Sequence, residues 1–332
     1  MGLGATARRH LAGYRQQGLK VVGGAEIDYD RRREVQQEFD LPIIEADYRD
    51  LIRRPEVRII DLTVPPIPDI RREVILFAAR HRTALFVQKP LLPTLSEARE
   101  LVEIAEDYDV PLMVNHSALF APGFLAMAPY LEDPQYLGPI YYCQIEDRQW
   151  MDVSDHPWYG KGERWVMVNA AQHYLALARH WFGEAESIYA LIDRDPSQKG
   201  VHGDTLGVAT LRFYSGVQCV ILVNWCHRGP RPNSPPREEV IIQGHRGCIV
   251  ANHERVTVTT EAVVPGRFEP VVVGQWKPDS YGLAMVHFID ALEQGRPFWG
   301  EGRDHLKTLA LAEAAYLSAE ERRVVQLAEL EG

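Results

Sequence analysis

An alternation of apolar strands and amphipathic helices runs through the first third of the chain and limits its fold more than any other feature. Segments that are typical of strands span 20–27, 57–63, 83–87 and 110–114. Helical patterns lie between these strands, at 30–39, 48–53, 68–81 and 96–108. Asp30 and Ser96 are the expected N-caps of two of these helices. The repeated order of strand and helix predicts an α/β fold with a doubly wound parallel sheet.

The pattern changes after Asn115. Strand-like segments then follow one another directly, at 139–147, 186–193, 206–214, 217–226, 239–243 and 256–260. Tight-turn sequences at 215–216 and 245–247 join neighbouring segments, as in an antiparallel sheet. Helical patterns interrupt them at 168–182, 281–294 and 304–320. We therefore predict two domains, a dinucleotide-binding domain over 1–116 and an α+β substrate and oligomerisation domain over 117–332 with a large, mostly antiparallel sheet.

Composition excludes several classes of protein. The net charge of −10 and the lack of a long basic run argue against nucleic acid or an anionic membrane as the main partner. The four cysteines are far apart and show no C-x-x-C spacing, so we expect neither a metal site nor a disulfide framework. We find no signal peptide and no apolar run long enough to span a bilayer, and we expect a cytoplasmic protein.

The segment Gly2-Leu3-Gly4-Ala5-Thr6-Ala7 has the G-x-G-x-x-A pattern of a dinucleotide-binding turn. The first glycine permits the tight turn, the second lets the backbone approach a pyrophosphate, and the small Ala7 lets the helix pack on the sheet. Glu26 follows at the spacing where a carboxylate accepts hydrogen bonds from an adenosine ribose. The alternative is a glycine-rich helix start and a solvated glutamate.

Such a fingerprint normally follows a strand, but here only Met1 precedes Gly2. That strand would be central in the sheet. Without it, backbone groups of the two neighbouring strands would be buried without hydrogen-bond partners, at a cost of about 1–3 kcal/mol each. We therefore expect the native chain to begin upstream, with about 5 to 8 further residues of strand.

The strand that ends at Val87 runs into Gln88-Lys89-Pro90. The carboxyl edge of a parallel sheet is where open α/β folds bind ligands. Proline fixes its own backbone and favours an extended conformation of the preceding residue, and the bond between Lys89 and Pro90 can be cis. We therefore expect the Lys89 ammonium to point into the site. The alternative is a solvated lysine followed by proline by chance.

Asn169 and His173 lie four residues apart in a helical segment, which places an amide and an imidazole on one helix face. Imidazole is well suited to take a proton from an alcohol near neutral pH. We expect His173 to act as the base while Lys89 stabilises the developing alkoxide at a crevice between the domains. The alternative is a buried structural histidine.

Aromatic residues are dense between Arg148 and Trp165, at Trp150, His156, Trp158, Tyr159 and Trp165. Their flat faces suit sugar rings, but such clusters also anchor long loops. His116 and Ser117, at the end of a predicted parallel strand, are further candidates for the crevice.

Several short motifs, taken in order, resemble the glucose-fructose oxidoreductase and inositol dehydrogenase family, called Gfo/Idh/MocA. These motifs are Gly2-Leu3-Gly4, Leu51 with Pro55-Glu56-Val57, Val64-Pro65-Pro66, Gln88-Lys89-Pro90, Phe120-Ala121-Pro122, Asn169 with His173, and Ala315-Tyr316-Leu317-Ser318-Ala319-Glu320. The resemblance covers nearly the whole chain. It implies a Rossmann domain, then an α+β domain whose open sheet commonly forms a dimer or tetramer interface. The family's usual chemistry is reversible hydride transfer between a nicotinamide cofactor and a carbinol carbon of a sugar or cyclitol.

The resemblance also implies roles for single residues. It makes Lys89 the lysine of the family's Glu-Lys-Pro motif, His173 the proton-transfer histidine and Asn169 their catalytic neighbour. The predicted cofactor contacts are Gly2, Gly4, Ala5, Thr6, Glu26, Val64, Pro65, Gln88 and Lys89. The predicted substrate contacts are His116, Trp158, Trp165 and Asn169. Glu26 favours NAD because a 2′-phosphate would face a carboxylate, while Arg31, Arg32 and Arg33 nearby leave NADP open.

Four departures from the family pattern accompany these matches. Gln88 stands in place of glutamate, Asn169 in place of a common aspartate, Asp69 in place of a common histidine and Leu119 in place of a common arginine. Neutral Asn169 can still hydrogen-bond a hydroxyl but cannot raise the basicity of His173 as a carboxylate would.

The first functional hypothesis is an NAD(P)-dependent sugar or polyol dehydrogenase that forms a homodimer or homotetramer. The second is a non-redox relative, a lyase or glycosidase, that holds NAD tightly for transient oxidation. The third, consistent with Gln88 and Asn169, is a nucleotide-binding protein without catalysis.

Overall fold

The computed structural model describes residues 1–151, 161–228, 237–264 and 266–330. By contacts within the chain it divides into two compact units. The first comprises Met1–Phe120 and Lys277–Lys307, and the second comprises Ala121–Trp276 and Thr308–Gly332. The sequence predicted a boundary between 116 and 117 and assigned all later residues to the second domain. The segment Lys277–Lys307 belongs instead to the first unit.

The α-helices are α1 (Ala5–Gln16), α2 (Tyr29–Phe39), α3 (Tyr48–Ile52), α4 (Pro68–Arg80), α5 (Leu95–Asp107), α6 (Pro122–Glu132), α7 (Pro134–Leu137), α8 (Gln172–Phe182), α9 (Asp279–Gln294) and α10 (Gly302–Glu321). The strands are β1 (Gly24–Ala25), β2 (Ile44–Glu45), β3 (Ile59–Leu62), β4 (Ala84–Gln88), β5 (Leu112–Asn115), β6 (Ile140–Arg148), β7 (Ala185–Asp193), β8 (Leu206–Phe213), β9 (Gln218–Asn224), β10 (Arg237–Gly244), β11 (Gly247–Ala251), β12 (Val256–Thr260), β13 (Arg267–Phe268) and β14 (Val325–Gln326). Short 3-10 turns cover Ser117–Phe120 and Leu327–Leu330.

All strands of the first unit pair in parallel, as the alternation of strand and helix predicts. They form two sheets, one of β1 and β2 and one in the order β3-β4-β5. The central strand β4 is apolar along its length, and Leu85, Phe86 and Val87 are fully buried. A continuous apolar run is expected where helices cover both faces of a parallel strand.

Two helix N-caps lie two residues before the predicted positions. Asp28, not Asp30, caps α2 by accepting the Arg31 N–H at 2.9 Å. Thr94, not Ser96, caps α5 through the Glu97 N–H, and its hydroxyl also donates to the Glu97 carboxylate. The threonine and the glutamate three residues later have the spacing of a capping box.

The second unit contains a nine-stranded sheet in the order β13-β12-β11-β10-β6-β9-β8-β7-β14. Its neighbours pair antiparallel except β6 and β9, which pair in parallel. The large, mostly antiparallel sheet is therefore confirmed. The strand pattern missed β11, β13 and β14, of which β13 and β14 have two residues each, too few for an alternating pattern to be visible.

The helix predicted over 168–182 has two parts. Val166–Ala171 is π-helical, and α8 continues from it as a regular α-helix. Single π turns inside helices occur frequently at functional sites. Among the helices of the described segments, none is long and apolar enough to cross a membrane.

A buried polar cluster connects α1 with β3 in the first unit. One oxygen of Asp61 lies 2.8 Å from His10 Nδ1 and accepts the Tyr14 hydroxyl at 2.7 Å. Burial by itself raises the pKa of Asp61, but its interactions with His10, the Met1 amino group and Tyr14 outweigh burial and lower that pKa. The ionised carboxylate is therefore the form that stabilises this cluster.

Asp61→Asn is expected to lower the free energy of unfolding at pH 7 by about 1–3 kcal/mol, because it removes a charged hydrogen-bond acceptor. The folded pKa of Asp61 lies below its ordinary value of 3.8, so the contribution is full above that pH and is lost as pH falls through the folded pKa. Urea unfolding at several pH values should show a gap between wild type and variant that is constant near neutrality and shrinks below pH 3.8.

The matched control is Asp50→Asn, since the Asp50 side chain is 58% exposed and pairs with Arg53 on the surface. This change should cost less than about 1 kcal/mol. An equal loss in both variants would contradict a specific role for the Asp61 cluster.

Candidate active site

The carboxyl ends of β3, β4 and β5 lie side by side in the first unit and carry several of the predicted contacts. Leu62 pairs with Val87, and Gln88 pairs with Asn115. Five residues lie at or just after these carboxyl ends, namely Val64 and Pro65 after β3, Gln88 and Lys89 at the end of β4, and His116 after β5. The sheet therefore brings these five residues to one edge, which is the usual ligand edge of such folds.

The glycine-rich turn also reaches this edge. Gly2 has a φ of +77°, and a Cβ on it would lie 2.7 Å from a methyl carbon of Val64. A larger residue there would collide with the segment after β3, so glycine is required. Beside Gly4 a Cβ would meet nothing within 4 Å, which leaves open space at the start of α1.

The start of α1 is suited to an anion. Gly4 is its N-cap, no side chain caps it, and its first turn contains no acidic residue. The first N–H groups of a helix carry partial positive charge and bind phosphates where glycine allows close approach. Ala5 is exposed and Thr6 is half-buried in this turn.

Glu26 lies at the end of β1 and is only 6% exposed. Its carboxylate accepts the Leu3 N–H at 2.8 Å and the Asp28 N–H at 3.1 Å, and Arg31 approaches it at 3.4 Å. A carboxylate has about four lone-pair positions, so capacity for a further donor remains. Glu26 thus fixes the glycine turn from within, a role that the sequence did not indicate.

Lys89 is half-buried and follows β4 directly, with a cis peptide bond to Pro90. Its backbone N–H donates to the side-chain oxygen of Gln88 at 3.1 Å. A glutamate at position 88 could accept the same hydrogen bond, so the exchange of glutamate for glutamine retains this local contact.

Arg71 is the residue of this edge that the sequence reasoning missed. It lies on α4, is 1% exposed, and its guanidinium donates to four backbone carbonyls. The acceptors are those of Val64 at 2.7 Å, Gln88 at 2.9 Å, Leu91 at 2.7 Å, and Pro90. Burial lowers the pKa of Arg71 to about 9, which leaves it charged at neutral pH. One cation therefore joins the segments that follow β3 and β4 and orients the backbone on both sides of Lys89.

His116 is 1% exposed, and its Nε2 lies 2.9 Å from Nδ1 of His305. One of these two ring nitrogens donates and the other accepts. The pair joins the end of β5 to the start of α10 within the first unit, which favours a structural role for this predicted substrate contact.

In the second unit, Asn169 lies in the π-helical segment and is 5% exposed. Asp204 holds the start of this segment, because its carboxylate accepts the backbone N–H groups of Trp165 at 3.2 Å and of Val166. Burial raises the pKa of Asp204, while these backbone hydrogen bonds oppose the rise. An acid at the N-terminus of a helical segment satisfies N–H groups that have no acceptor within the helix.

His173 lies in the first turn of α8 and is 8% exposed. The ring of Trp276 meets it edge to face, with centroids 6.2 Å apart and planes at 82°. Trp276 in turn stacks on His253 at 3.4 Å and 9°, and the His253 Nδ1 pairs with the Glu238 carboxylate. Trp276 thus forms one wall of the surroundings of His173, and no local pattern in the sequence indicated this contact between distant residues.

The structure describes only some of the aromatic residues predicted before α8. Trp158, with His156 and Tyr159, lies outside the described residues. Trp165 is 1% exposed and meets Trp225 edge to face at 5.0 Å, which is the contact of a core side chain. Within the described residues, no group of three or more His, Cys, Asp or Glu side chains could hold a metal ion.

The features of the first unit fit a dinucleotide. The open space beside Gly4 and the uncapped start of α1 suit a pyrophosphate, and Glu26 suits a ribose hydroxyl. The carboxylate disfavours a 2′-phosphate through charge repulsion, in agreement with NAD.

Comparison with known proteins gives two matches to family models. Residues 1–116 match the model described as the oxidoreductase family, NAD-binding Rossmann fold. Residues 134–327 match the model of the oxidoreductase family, C-terminal alpha/beta domain. Both models come from one family, and the second match also spans Lys277–Lys307, which belongs to the first unit.

Similar proteins include two named dehydrogenases. D-apiose dehydrogenase of Paraburkholderia graminis is 29% identical over 345 residues, which cover 100% of this chain and 89% of that protein. Myo-inositol 2-dehydrogenase of Thermotoga maritima is 26% identical over 348 residues, which cover 100% of this chain and 98% of that protein. An oxidoreductase from Agrobacterium radiobacter, solved with NAD⁺, L-tartaric acid and magnesium, superposes with a TM-score of 0.88 at 23% identity over 99% of this chain and 97% of its own. The last comparison shows a common fold.

Arg71→Lys is expected to lower the free energy of unfolding by about 2–4 kcal/mol, because one ammonium cannot reach four separated carbonyl groups and leaves some of them buried without a donor. Amide exchange at residues 88–92 should rise in the variant. Both quantities can be measured by urea unfolding and hydrogen-exchange mass spectrometry.

Arg72→Lys is the control for that change. Arg72 is the next residue of α4, and its side chain is 56% exposed in a surface pair with Glu100. It should alter stability by less than about 1 kcal/mol. Unchanged exchange at 88–92 in Arg71→Lys would refute the role given to this guanidinium.

Proposed function

Since this chain belongs to the Gfo/Idh/MocA family of oxidoreductases, we propose that it oxidises a carbinol carbon of a sugar or cyclitol and that Lys89 and His173 carry the proton chemistry. It is an NAD-dependent oxidoreductase. The observation that carries the proposed assignment is the position of Lys89, which follows the central strand at the same sheet edge as the NAD-binding turn.

Lys89 is proposed as the group that stabilises negative charge. Its ammonium would donate a hydrogen bond to the substrate oxygen and would stabilise the alkoxide as the hydroxyl loses its proton. Arg71 and Gln88 support this role by holding the backbone on both sides of Lys89. Such preorganisation matters because a cation that is already oriented need not reorganise during the reaction.

His173 is proposed as the base that takes the hydroxyl proton on an imidazole nitrogen. The aromatic wall of Trp276 supports this role, because it keeps water from one side of the ring. Asn169, one turn earlier, would hydrogen-bond a neighbouring substrate hydroxyl and orient the sugar or cyclitol ring.

The residues proposed to hold the cofactor are Gly2, Gly4, Ala5 and Thr6 around the pyrophosphate, Glu26 at the ribose, and Val64, Pro65, Gln88 and Lys89 along the sheet edge. The chemistry that NAD supplies when bound is acceptance of a hydride from the carbinol carbon. Lys89 and His173 would meanwhile hold the substrate oxygen and move its proton.

The substrate class rests on the relatives. Those named above act, by their names, on apiose and on myo-inositol. Both substrates are small polyhydroxylated molecules, and polar side chains that pair with hydroxyl groups suit them. We therefore propose a sugar or cyclitol of this size for the present chain.

A second candidate function is NAD binding without turnover, and the observation that favours it is the neutral Asn169 four residues before His173. Without a carboxylate, the imidazole gains no electrostatic increase in basicity from that position. A steady-state assay with a broad panel of sugars and cyclitols separates the two, since this candidate predicts NADH binding and no oxidation.

We also propose a cytoplasmic location and a homodimer or homotetramer formed through the sheet of the second unit. Apolar side chains on one face of that sheet remain exposed or half-exposed, namely Tyr189, Leu191, Val208, Val220 and Leu222. Leu191 pairs with Val208 and Val208 pairs with Leu222, so these side chains form one patch across β7, β8 and β9. Patches of this kind commonly mark protein interfaces.

Lys89→Met should reduce kcat by about 10²–10³-fold, because it removes the proposed charge stabilisation while it keeps the length of the side chain. The affinity for NADH, measured by fluorescence titration, should change by less than about threefold, since the cofactor contacts are spread over many residues. Oxidation of the best substrate of the panel is followed by NADH absorbance.

Lys199→Met provides the matched control, since Lys199 is exposed in a loop of the second unit. It should leave both kcat and NADH affinity unchanged. An unaltered kcat in Lys89→Met would rule out the proposed charge stabilisation, and a large loss of NADH binding would show that Lys89 acts mainly by binding the cofactor.

Leu191→Arg should shift the mass of the protein in solution toward that of one 37.7 kDa chain, because it places a charge in the proposed interface. Light scattering after size-exclusion chromatography measures this mass. Val271→Arg, at an exposed valine outside the strands, is the control and should not alter the mass. A wild-type mass of 37.7 kDa would refute the oligomer proposal.

A further inference from the structure

Trp276, whose ring meets the proposed base His173, lies in the connection between β13 and α9. The described residues 269–278 of this connection form no strand or helix, and Gln275 and Lys277 on either side of Trp276 are exposed. The backbone hydrogen bonds of a regular element therefore do not fix the direction of the indole. Its position must come from side-chain contacts, among them the stacking on His253 with centroids 3.4 Å apart and planes at 9°.

The backbone at His253 is held from two directions. His253 lies in the turn between β11 and β12, where the Asn252 N–H donates to the Arg255 carbonyl at 2.9 Å. The carbonyl of His253 itself accepts the Gly123 N–H, at the start of α6, at 2.6 Å. The ring of Phe124 also contacts the His253 ring, with centroids 5.3 Å apart. The turn therefore presents the imidazole from a fixed position.

Glu238 determines the orientation of that imidazole. Val240 of β10 pairs with Ala251 of β11, so Glu238 and His253, each two residues further toward the same end, lie on one face of the sheet. The Glu238 carboxylate pairs with Nδ1 of His253, and each of the two residues is only 8% exposed. A partner on one ring nitrogen fixes the tautomer and the rotation of an imidazole. Glu238 thus sets the plane that stacks on the indole.

The neighbouring strand limits Glu238 to this partner. Asp147 of β6 lies directly opposite Glu238 and is 3% exposed, so two acids are buried side by side. Like charges directly opposite each other destabilise a sheet, and each carboxylate therefore requires a donor of its own. Asp147 accepts the indole N–H of Trp225 at 2.8 Å, while Glu238 has the imidazole of His253.

We propose that Glu238 and His253 are positioning residues for the proposed dehydrogenase reaction. Glu238 orients the ring of His253, His253 holds the indole of Trp276, and the indole restricts the ring of His173. This inference rests on the proposed function, since it takes His173 to be the base. Such positioning matters because misplacement of a reacting group by about 1 Å can lower the rate about 100-fold.

The test uses one substitution at each end of the ion pair. Glu238→Met keeps the length of the side chain and removes the acceptor, and it also removes the repulsion from Asp147, so we expect the chain to fold. His253→Gln keeps a donor for the Glu238 carboxylate and removes the ring that stacks on Trp276. Both are made in the wild-type chain and in Trp276→Leu.

The ring of His173 is observed directly by NMR of protein with ¹³C-labelled histidine, and its signal is assigned by its loss in His173→Gln. Both substitutions should shift the His173 signal. They should also lower kcat about tenfold or more while KM and NADH affinity change by less than about threefold. In Trp276→Leu neither substitution should add a further change, because residues that act through one contact are not additive.

Glu254→Gln is the matched control, since Glu254 is exposed in the same turn as His253. It should alter neither the His173 signal nor kcat. If Glu238→Met does not fold, as judged by circular dichroism, His253→Gln decides the test.

An unchanged His173 signal in the folded variants would overturn the proposal. A full additional effect in Trp276→Leu would overturn it as well, since the pair would then act by another route. The signal does not depend on turnover, so failure of the proposed function is distinguishable. A wild-type chain that oxidises no sugar or cyclitol refutes that function, whereas turnover with an unmoved His173 signal in the variants refutes the positioning alone.

Discussion

One buried guanidinium determines the shape of the sheet edge on which the proposed function of the first unit depends. Arg71 donates to carbonyl groups of the segments after β3 and β4, and no carboxylate neutralises it there in the described contacts. Desolvation of a cation is costly, so these carbonyl dipoles must remain oriented toward it. The backbone beside Lys89 is therefore fixed by the electrostatic requirement of a residue eighteen positions earlier in the chain. The glycine turn joins the same network through Val64, against which only a residue without a side chain can pack.

The fold class could be predicted because periodic patterns are local. Strand and helix alternate over the first unit with the expected spacing, and the tight turns between β8 and β9 and between β10 and β11 follow from glycine-containing sequences. Assignment of Lys277–Lys307 to the first unit could not be predicted in this way. The sequence of α9 does not reveal which unit it packs on, because its position is decided by long-range contacts such as the tilted ring contact of Tyr281 with His10, with centroids 4.2 Å apart.

The candidate site divides in the same manner. Lys89, Gly2 and Gly4 could be proposed from motifs, since each motif is a short run of neighbouring residues. Arg71 and Trp276 were missed because their roles depend on contacts with residues distant in sequence. The weak sequence signal for Arg71 is an arginine on the otherwise apolar face of a helix that follows a proline-rich segment. The aromatic residues near α8 show the opposite error, since Trp165 was predicted to contact substrate and lies in the core.

The second unit holds its proposed base by a different means from the first. Asp204 fixes the start of the π-helical segment that contains Asn169 and leads into α8, where His173 lies in the first turn. A carboxylate at position 169 could raise the basicity of the imidazole through its charge, whereas the neutral amide of Asn169 can only donate and accept hydrogen bonds. The asparagine at this position therefore favours substrate orientation over base activation as its function.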